Sequence, residues 1–325
     1  MKKSLLFACA FAGPILFGLA NTASAGYSVQ TVTDPTGNNF INLLGINNAG
    51  IIAGFDNNNP AQGFTLTPPS TFTSENFPGA TSTMVTAINN ANSTAGIYVD
   101  AANNTHGFTD IGGHFQTVDN PNSVVFNQAL GINDTGHTVG YYAPTQLGMT
   151  NQIAYSQFAG VFTDINHLLP SNVNSQAVGI NNSGVIDGFY QPTADTSLGF
   201  VDNGGVISTI DPFGSTFTQA LGINDSGEIV GFYVDANDVQ HGYIDNNNIF
   251  TSFDPTGSVN TTINGVNDAS QIVGFFTDGN DDVLGFVGTP VPEPAAPTLV
   301  ALAALLAVRV RRRRSGGIAE AGYHT

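Results

Sequence analysis

The stretch Gln219-Ala220-Leu221-Gly222-Ile223-Asn224-Asp225-Ser226-Gly227-Glu228-Ile229-Val230-Gly231-Phe232-Tyr233 reads as two short strands joined by a tight turn. Apolar and β-branched residues flank Asn-Asp-Ser-Gly, whose members tolerate or locally bond the backbone angles of a turn. Working outward, the small residue, Ile or Val, then Asn recurs as Gly45-Ile46-Asn47, Ala87-Ile88-Asn89, Gly131-Ile132-Asn133, Gly179-Ile180-Asn181, Gly222-Ile223-Asn224 and Gly265-Val266-Asn267. The spacings are 42, 44, 48, 43 and 43. Seven residues after each Asn stands a Gly: Gly54, Gly96, Gly140, Gly188, Gly231 and Gly274. Six matches at one offset identify an internal repeat, which takes precedence over other fold reasoning.

Each repeat continues in the same way. A polar Asp/Asn-rich loop leads to a third strand opening at Gly63-Phe64, Gly107-Phe108, Gly199-Phe200, Gly242-Tyr243 or Gly285-Phe286, with Ala154-Tyr155 in the third unit. A fourth strand follows, as in Phe115 to Asp119, Ile207 to Asp211 and Phe250 to Asp254. Four strands in about 43 residues, six times over, predict an all-β fold, a six-bladed β-propeller. A β-helix has shorter coils, and an open array would leave exposed strand edges. The sixth unit stops after its third strand, at Gly285-Phe286-Val287. The orphan segment Ser28 to Pro35 resembles a fourth strand, so the N-terminal strand is expected to complete the last blade and close the ring.

The flanks read as addresses. Residues 1–25 carry Lys2 and Lys3, then an apolar run from Leu5 to about Leu19, then Ala23-Ser24-Ala25. This is the order of a secretory signal peptide, with Ala23 and Ala25 at the positions signal peptidase reads. The single Cys9 lies inside it, so the mature protein is expected to carry no thiol or disulfide. Residues 291–325 hold Pro292-Glu293-Pro294, an apolar stretch from Ala295 to Val308, and a cluster of Arg309, Arg311, Arg312, Arg313 and Arg314. As a helix that stretch reaches about 21 Å, short of the ~30 Å hydrocarbon core, with the Arg cluster held on the cytoplasmic side.

Pro-Glu-Pro, a short apolar helix and an Arg cluster, in that order, resemble the PEP-CTERM sorting signal of Gram-negative bacteria. The resemblance implies processing by an exosortase-type enzyme. It also implies passage from a membrane-tethered precursor to the cell surface or the exopolysaccharide matrix. The repeat itself resembles the bacterial extracellular HAF repeats. The matching residues are the Gly-Ile-Asn-Asp-x-Gly-x-Ile-Val-Gly core and the steps His106-Gly107-Phe108 and His241-Gly242-Tyr243. That family brings no catalytic residues.

Composition narrows the function. Only 10% of the residues are charged, and the net charge is −17. Every Lys and Arg lies in the flanks, whereas 22 Asp and Glu lie between Gly26 and Pro290. Nucleic acid is excluded as a partner, because phosphate neutralisation needs Lys or Arg. So is electrostatic docking of this central part on an anionic membrane. The membrane is expected as a partner only through the C-terminal helix, before processing.

The central histidines are His106, His114, His137, His167 and His241. His106 and His241 share one repeat position, so they point around a ring instead of converging on a metal or a catalytic centre. Carboxylates recur with the turns: Asp134, Asp225 and Asp268 after the Ile-Asn or Val-Asn, and Asp119, Asp211 and Asp254 after the fourth strand. The loops Asp235-Ala236-Asn237-Asp238 and Asp278-Gly279-Asn280-Asp281-Asp282 gather hard oxygen ligands. Asp235, Asn237, Asp238, Asp278, Asn280 and Asp282 are therefore weak calcium candidates, against a reading as solvated hairpin tips. No cofactor is assigned, calcium at these loops being the one alternative, and no catalytic residue is assigned.

The favoured reading is an exported, non-enzymatic protein with a structural, adhesion or glycan-binding role, exopolysaccharide being the expected partner. The alternative is a secreted polysaccharide hydrolase or lyase with acids clustered at the propeller axis. The irregular third unit, Tyr141 to Ala159, holds the longest loop and is the first place to look for binding.

Overall fold

The structure, a computed structural model, describes residues 22–24, 26–33, 41–56, 60–171, 173–212, 215 and 217–291. Ala25, the first 21 residues and everything from Pro292 onward lie outside these. The bulk of the expected signal peptide, the Pro-Glu-Pro site and the Arg cluster are therefore not described here.

Among the described residues, twenty-five strands form six sheets around one axis. The first two are β1 (Thr22–Ser24) and β2 (Tyr27–Val32). Blade 1 is β3 (Ile41–Ile46), β4 (Ile52–Asp56), β5 (Gly63–Thr67) and β6 (Thr71–Ser74). Blade 2 is β7 (Ser82–Ile88), β8 (Thr94–Val99), β9 (Thr105–Asp110) and β10 (Phe115–Val118). Blade 3 is β11 (Asn127–Ile132), β12 (Thr138–Tyr142), β13 (Ile153–Phe158) and β14 (Val161–Asp164). Blade 4 is β15 (Asn174–Ile180), β16 (Ile186–Thr193), β17 (Thr196–Asp202) and β18 (Ile207–Ile210). Blade 5 is β19 (Phe217–Ile223), β20 (Ile229–Val234), β21 (Gln240–Asn246) and β22 (Ile249–Phe253). Blade 6 is β23 (Ser258–Val266), β24 (Ile272–Asp278) and β25 (Val283–Pro290). The only helix among the described residues is a short 3-10 turn, Asn166–Leu168.

The ring closes as the orphan strand implied. β2 pairs antiparallel with β25, in register from Tyr27 opposite Pro290 to Val32 opposite Gly285. Val29 is buried with Ile263, Ile272 and Phe286. β1 then pairs with β2, giving blade 6 a fifth strand. Cleavage after Ala25 would remove β1 and leave the closing strand in place.

A feature the sequence left unexplained is the Gly seven residues after each Asn. In all six blades the innermost strand carries a β-bulge, between Leu43 and Gly45 in blade 1 and at the matching place in the others. Next to the bulge, a carbonyl of the first strand faces this Gly closely. A Cβ on Gly140 would lie 1.9 Å from the Gln128 oxygen, and one on Gly231 2.0 Å from that of Gln219. Only Gly fits there. The aromatic residue of the third strand lies directly opposite that Gly, Tyr155 on Gly140 and Tyr243 on Gly231, and fills the space it leaves.

Candidate functional site

Antiparallel order puts the first-to-second and third-to-fourth hairpins of every blade on one face, here the girdle face. The second-to-third hairpins and the blade-to-blade connections lie on the other, the loop face. On the girdle face the six Asn of the repeat signature surround the axis, and all are buried. Each Oδ1 accepts two backbone N–H groups of its own turn; that of Asn181 takes Ser183 and Val185. Each Nδ2 donates to the backbone carbonyl of the equivalent Asn in the next blade. The chain of bonds runs Asn47 to Asn89, Asn133, Asn181, Asn224, Asn267 and back to Asn47, at 2.9 to 3.1 Å.

A second ring lies outside it. The next residue donates its backbone N–H to the side-chain Oδ1 of its counterpart in the following blade: Asn48 to Asn90, then Asp134, Asn182, Asp225, Asp268 and back to Asn48. This explains a pattern visible in the repeats. The first position needs one atom that accepts two N–H groups and a separate donor that reaches the next blade, which the carboxamide of Asn supplies and the carboxylate of Asp does not. The second needs only an acceptor, so either Asn or Asp serves there.

Asn181→Asp keeps the turn acceptor, removes the ring donor and sets an oxygen against the Asn224 carbonyl. It is expected to cost about 1–3 kcal/mol, measured by denaturant unfolding. An unchanged midpoint would mean that the girdle carries no stability.

The girdle narrows the axis to a void of about 70 Å³, followed by a second of about 80 Å³ lined by the inner strands. Each has room for a few waters, well short of the roughly 300 Å³ at which small-molecule sites begin. Three carboxylates do gather here, Asp134, Asp225 and Asp268, but they are engaged with N–H groups. Asp134 Oδ2, for example, accepts from Asn90 and Asn182.

The two repeat-equivalent histidines sit apart in blades 2 and 5, as expected, and each has neighbours the sequence did not reveal. His106 Nδ1 lies 2.7 Å from Asp119 Oδ2, and Nε2 lies 3.3 Å from Asp100 Oδ2. His241 Nδ1 lies 2.8 Å from Asp254, with Asp235 at 3.8 Å. Tyr98 and Tyr233 stack on the two imidazoles. Partial burial disfavours the charged His106, but the hydrogen bonds and fields of Asp119 and Asp100 outweigh it and raise its pKa. The backbone N–H of Asn104, helped by His106, holds Asp100 down to about 2. These clamps join the third strand to the loops at either side of it.

The calcium candidates form hairpin tips on the loop face. Asp235 Oδ1 accepts the backbone N–H groups of Asn237 and Val239, and Oδ2 accepts the Asn237 amide. Asp238 takes the left-handed conformation, with φ of 63°. Asp278 repeats the arrangement with Asn280 and Asp282. The turn itself explains this Asp/Asn composition. Among the described residues no three His, Cys, Asp or Glu are grouped as metal ligands.

One acid departs from the repeat. Asp187 stands on β16 where the other blades carry Ala53, Ala95, Val139, Val230 and Val273, all fully buried between blades. Asp187 is equally buried, and neither carboxyl oxygen has a well-aligned donor. Burial pushes its pKa up to about 7; the N–H groups of Gly179 and of Asp187 itself offset only part of that. The nearby Tyr243 hydroxyl is also buried and unpartnered, and burial plus the Asp187 field raise its pKa.

The long loop of blade 3 leans over blade 2. Gln146 Nε2 donates to the carbonyls of Ala102 and Asn103. Leu147 is 80% exposed, Val124 78% and Met149 43%, so an apolar step sits among amides on the loop face.

No family model matches the chain, and no curated protein matches it. Solved structures similar to it include a protein assigned as TolB from Agrobacterium tumefaciens, 11% identical over 78% of this chain and 91% of that one, with a TM-score of 0.53. Others are an Aleuria aurantia lectin mutant in complex with Fucalpha1-6GlcNAc (12%, 78% and 97%, TM-score 0.46) and a gluconolactonase, XC5397 from Xanthomonas campestris (11%, 87% and 99%, TM-score 0.48). At these identities the likeness concerns the fold alone.

Proposed function

We propose that this propeller is an exported, non-enzymatic surface or matrix protein. It is sorted through its PEP-CTERM-like tail and binds neutral glycan on the loop face of blades 2 and 3. The observation that carries the reading is the axis. Nine Asn and three Asp of its mouth are spent on holding the blades together, around a void too small for a sugar ring. Binding then falls to the exposed rim. There Leu147, Met149 and Val124 offer apolar surface to the C–H face of a sugar, beside the amides of Gln146 and Asn103. The presence of three axial carboxylates keeps a polysaccharide hydrolase as the second reading.

A glycan array probed with the full-length chain, paired with a reducing-end assay on exopolysaccharide, separates the two. Retained binding that falls at least tenfold in Leu147→Asp, with no new reducing ends, is the expected result. Release of reducing ends that Asp225→Asn abolishes would replace this reading with the hydrolase.

A further inference from the structure

The girdle face carries a second pattern, at its periphery. The third-to-fourth hairpins of four consecutive blades each present a large apolar side chain to solvent: Ile111 in blade 2, Phe158 and Val161 in blade 3, Val206 in blade 4 and Ile249 in blade 5. Their exposures run from 47% at Ile111 to 71% at Ile249. In blade 1 the same hairpin holds the exposed Pro68-Pro69. Isolated exposed apolar residues need no explanation, but one at the same place in successive blades forms an arc on a single face.

The carboxylates of that face are withdrawn from the arc. Asp110, Asp202 and Asp245, at the ends of the third strands, are buried. Asp134, Asp225 and Asp268 lie at the axis in the outer ring of bonds. Those three are exposed, but only at the axial mouth; the other exposed acids, Asp195, Asp211, Asp238, Asp281 and Asp282, stand on the loop face. The chain also leaves from the girdle face, because β25 runs toward it and ends at Pro290, opposite Tyr27 at the start of β2. Four residues, Val291-Pro292-Glu293-Pro294, separate that point from the apolar stretch beginning at Ala295. Fully extended, they span no more than about 14 Å.

From this juxtaposition we infer that, in the tethered precursor, the girdle face lies against the lipid surface, with Ile111, Val161, Val206 and Ile249 in the headgroup region. The inference rests on the proposed anchoring by residues 295–308. A tether that short holds the arc at high effective concentration over the bilayer, so weak apolar contacts suffice. The acid-rich loop face, with the glycan-binding step, then points away from anionic headgroups and toward the matrix. This contact is apolar and does not use the basic side chains the propeller lacks.

The test places single cysteines in the full-length chain carrying Cys9→Ser. Val206→Cys and Ile249→Cys report on the girdle face, and Asn237→Cys on the loop face. Each is labelled with an environment-sensitive fluorophore and reconstituted in phosphatidylcholine vesicles containing brominated lipid. Quenching at 206 and 249 several-fold greater than at 237 is expected. Vesicle-bound protein with equal quenching at all three, or most at 237, overturns the orientation and leaves the anchor standing. Failure to associate with vesicles overturns the anchor, and the orientation with it. A label shift at 249 that persists in detergent and grows with protein concentration would assign the arc to a second copy of the chain.

Discussion

Deleting residues 22–33 is expected to lower the melting temperature by at least about 10 °C, a shift that for a chain of this size corresponds to roughly 3–5 kcal/mol. The deleted segment contains β2, whose six residues pair with β25 from Tyr27 to Val32. It also buries Val29 among Ile263, Ile272 and Phe286, and it seats Tyr27 edge-on against Phe253, 5.4 Å between ring centres. Val29 alone is worth about 1.5–3 kcal/mol of burial. The rest is the loss of a paired edge and the opening of a ring in which every blade buttresses the next. A permuted chain separates closure from mere truncation. Moving residues 27–32 behind residue 291, through a three-residue Gly-rich turn, restores the strand without its original position in the chain. It is expected to recover most of the lost stability, by calorimetry. A deletion that melts with the wild type would show that the latch contributes nothing.

Asp187→Val is expected to stabilise the protein, most strongly above neutral pH. The folded state holds the Asp187 proton until about pH 7, whereas a free carboxyl, at 3.8, has already released it. Between those values the folded state binds more protons than the unfolded one, so stability falls as pH rises. The favourable contribution is complete below about pH 4 and lost once pH passes about 7. Three pH units of difference correspond to about 4 kcal/mol. Valine, which blades 3, 5 and 6 use at this place as Val139, Val230 and Val273, carries no such dependence. The variant should therefore melt about 10 °C above the wild type at pH 8. Near pH 4 the gap should shrink to the small cost of a buried neutral carboxyl. Parallel melting curves across that range would show that Asp187 is paired or hydrated.

Much of the architecture was legible because it is written locally. Turn residues such as Asn224-Asp225-Ser226-Gly227 impose hairpins wherever they occur, and Gly227, at φ of 81°, is in the left-handed conformation such a turn needs. The missing fourth strand of the last repeat and the spare segment Ser28 to Pro35 make the closure legible in the sequence, and the strand itself spans Tyr27–Val32. The site was less legible. Turn chemistry accounts for the Oδ1 of the Asn in Ile-Asn and not for its Nδ2. The shared repeat position of His106 and His241 sets them around the ring but gives no sign of the Asp119 and Asp254 clamps. Nothing in the pattern Gly-Val-Ile-Asp187-Gly distinguished a buried carboxyl from an exposed one.

The period, the strand content, the number of blades and the strand that closes them are all set by the order of residues along the chain. Alternation and turn preference act over a few residues and repeat with the unit. What the repeated Asn is for, why Gly140 and Gly231 tolerate no side chain, how deeply Asp187 lies and which face the chain leaves from emerge only in the packed fold. Gly140 and Gly231 meet carbonyls twelve residues back in their own blades, whereas the role of the Asn depends on contacts between residues 42 to 48 apart in the sequence, and 220 apart across the seam. Such contacts exist only once six sheets are packed around one axis, because each blade's polar groups find their partners on its neighbour.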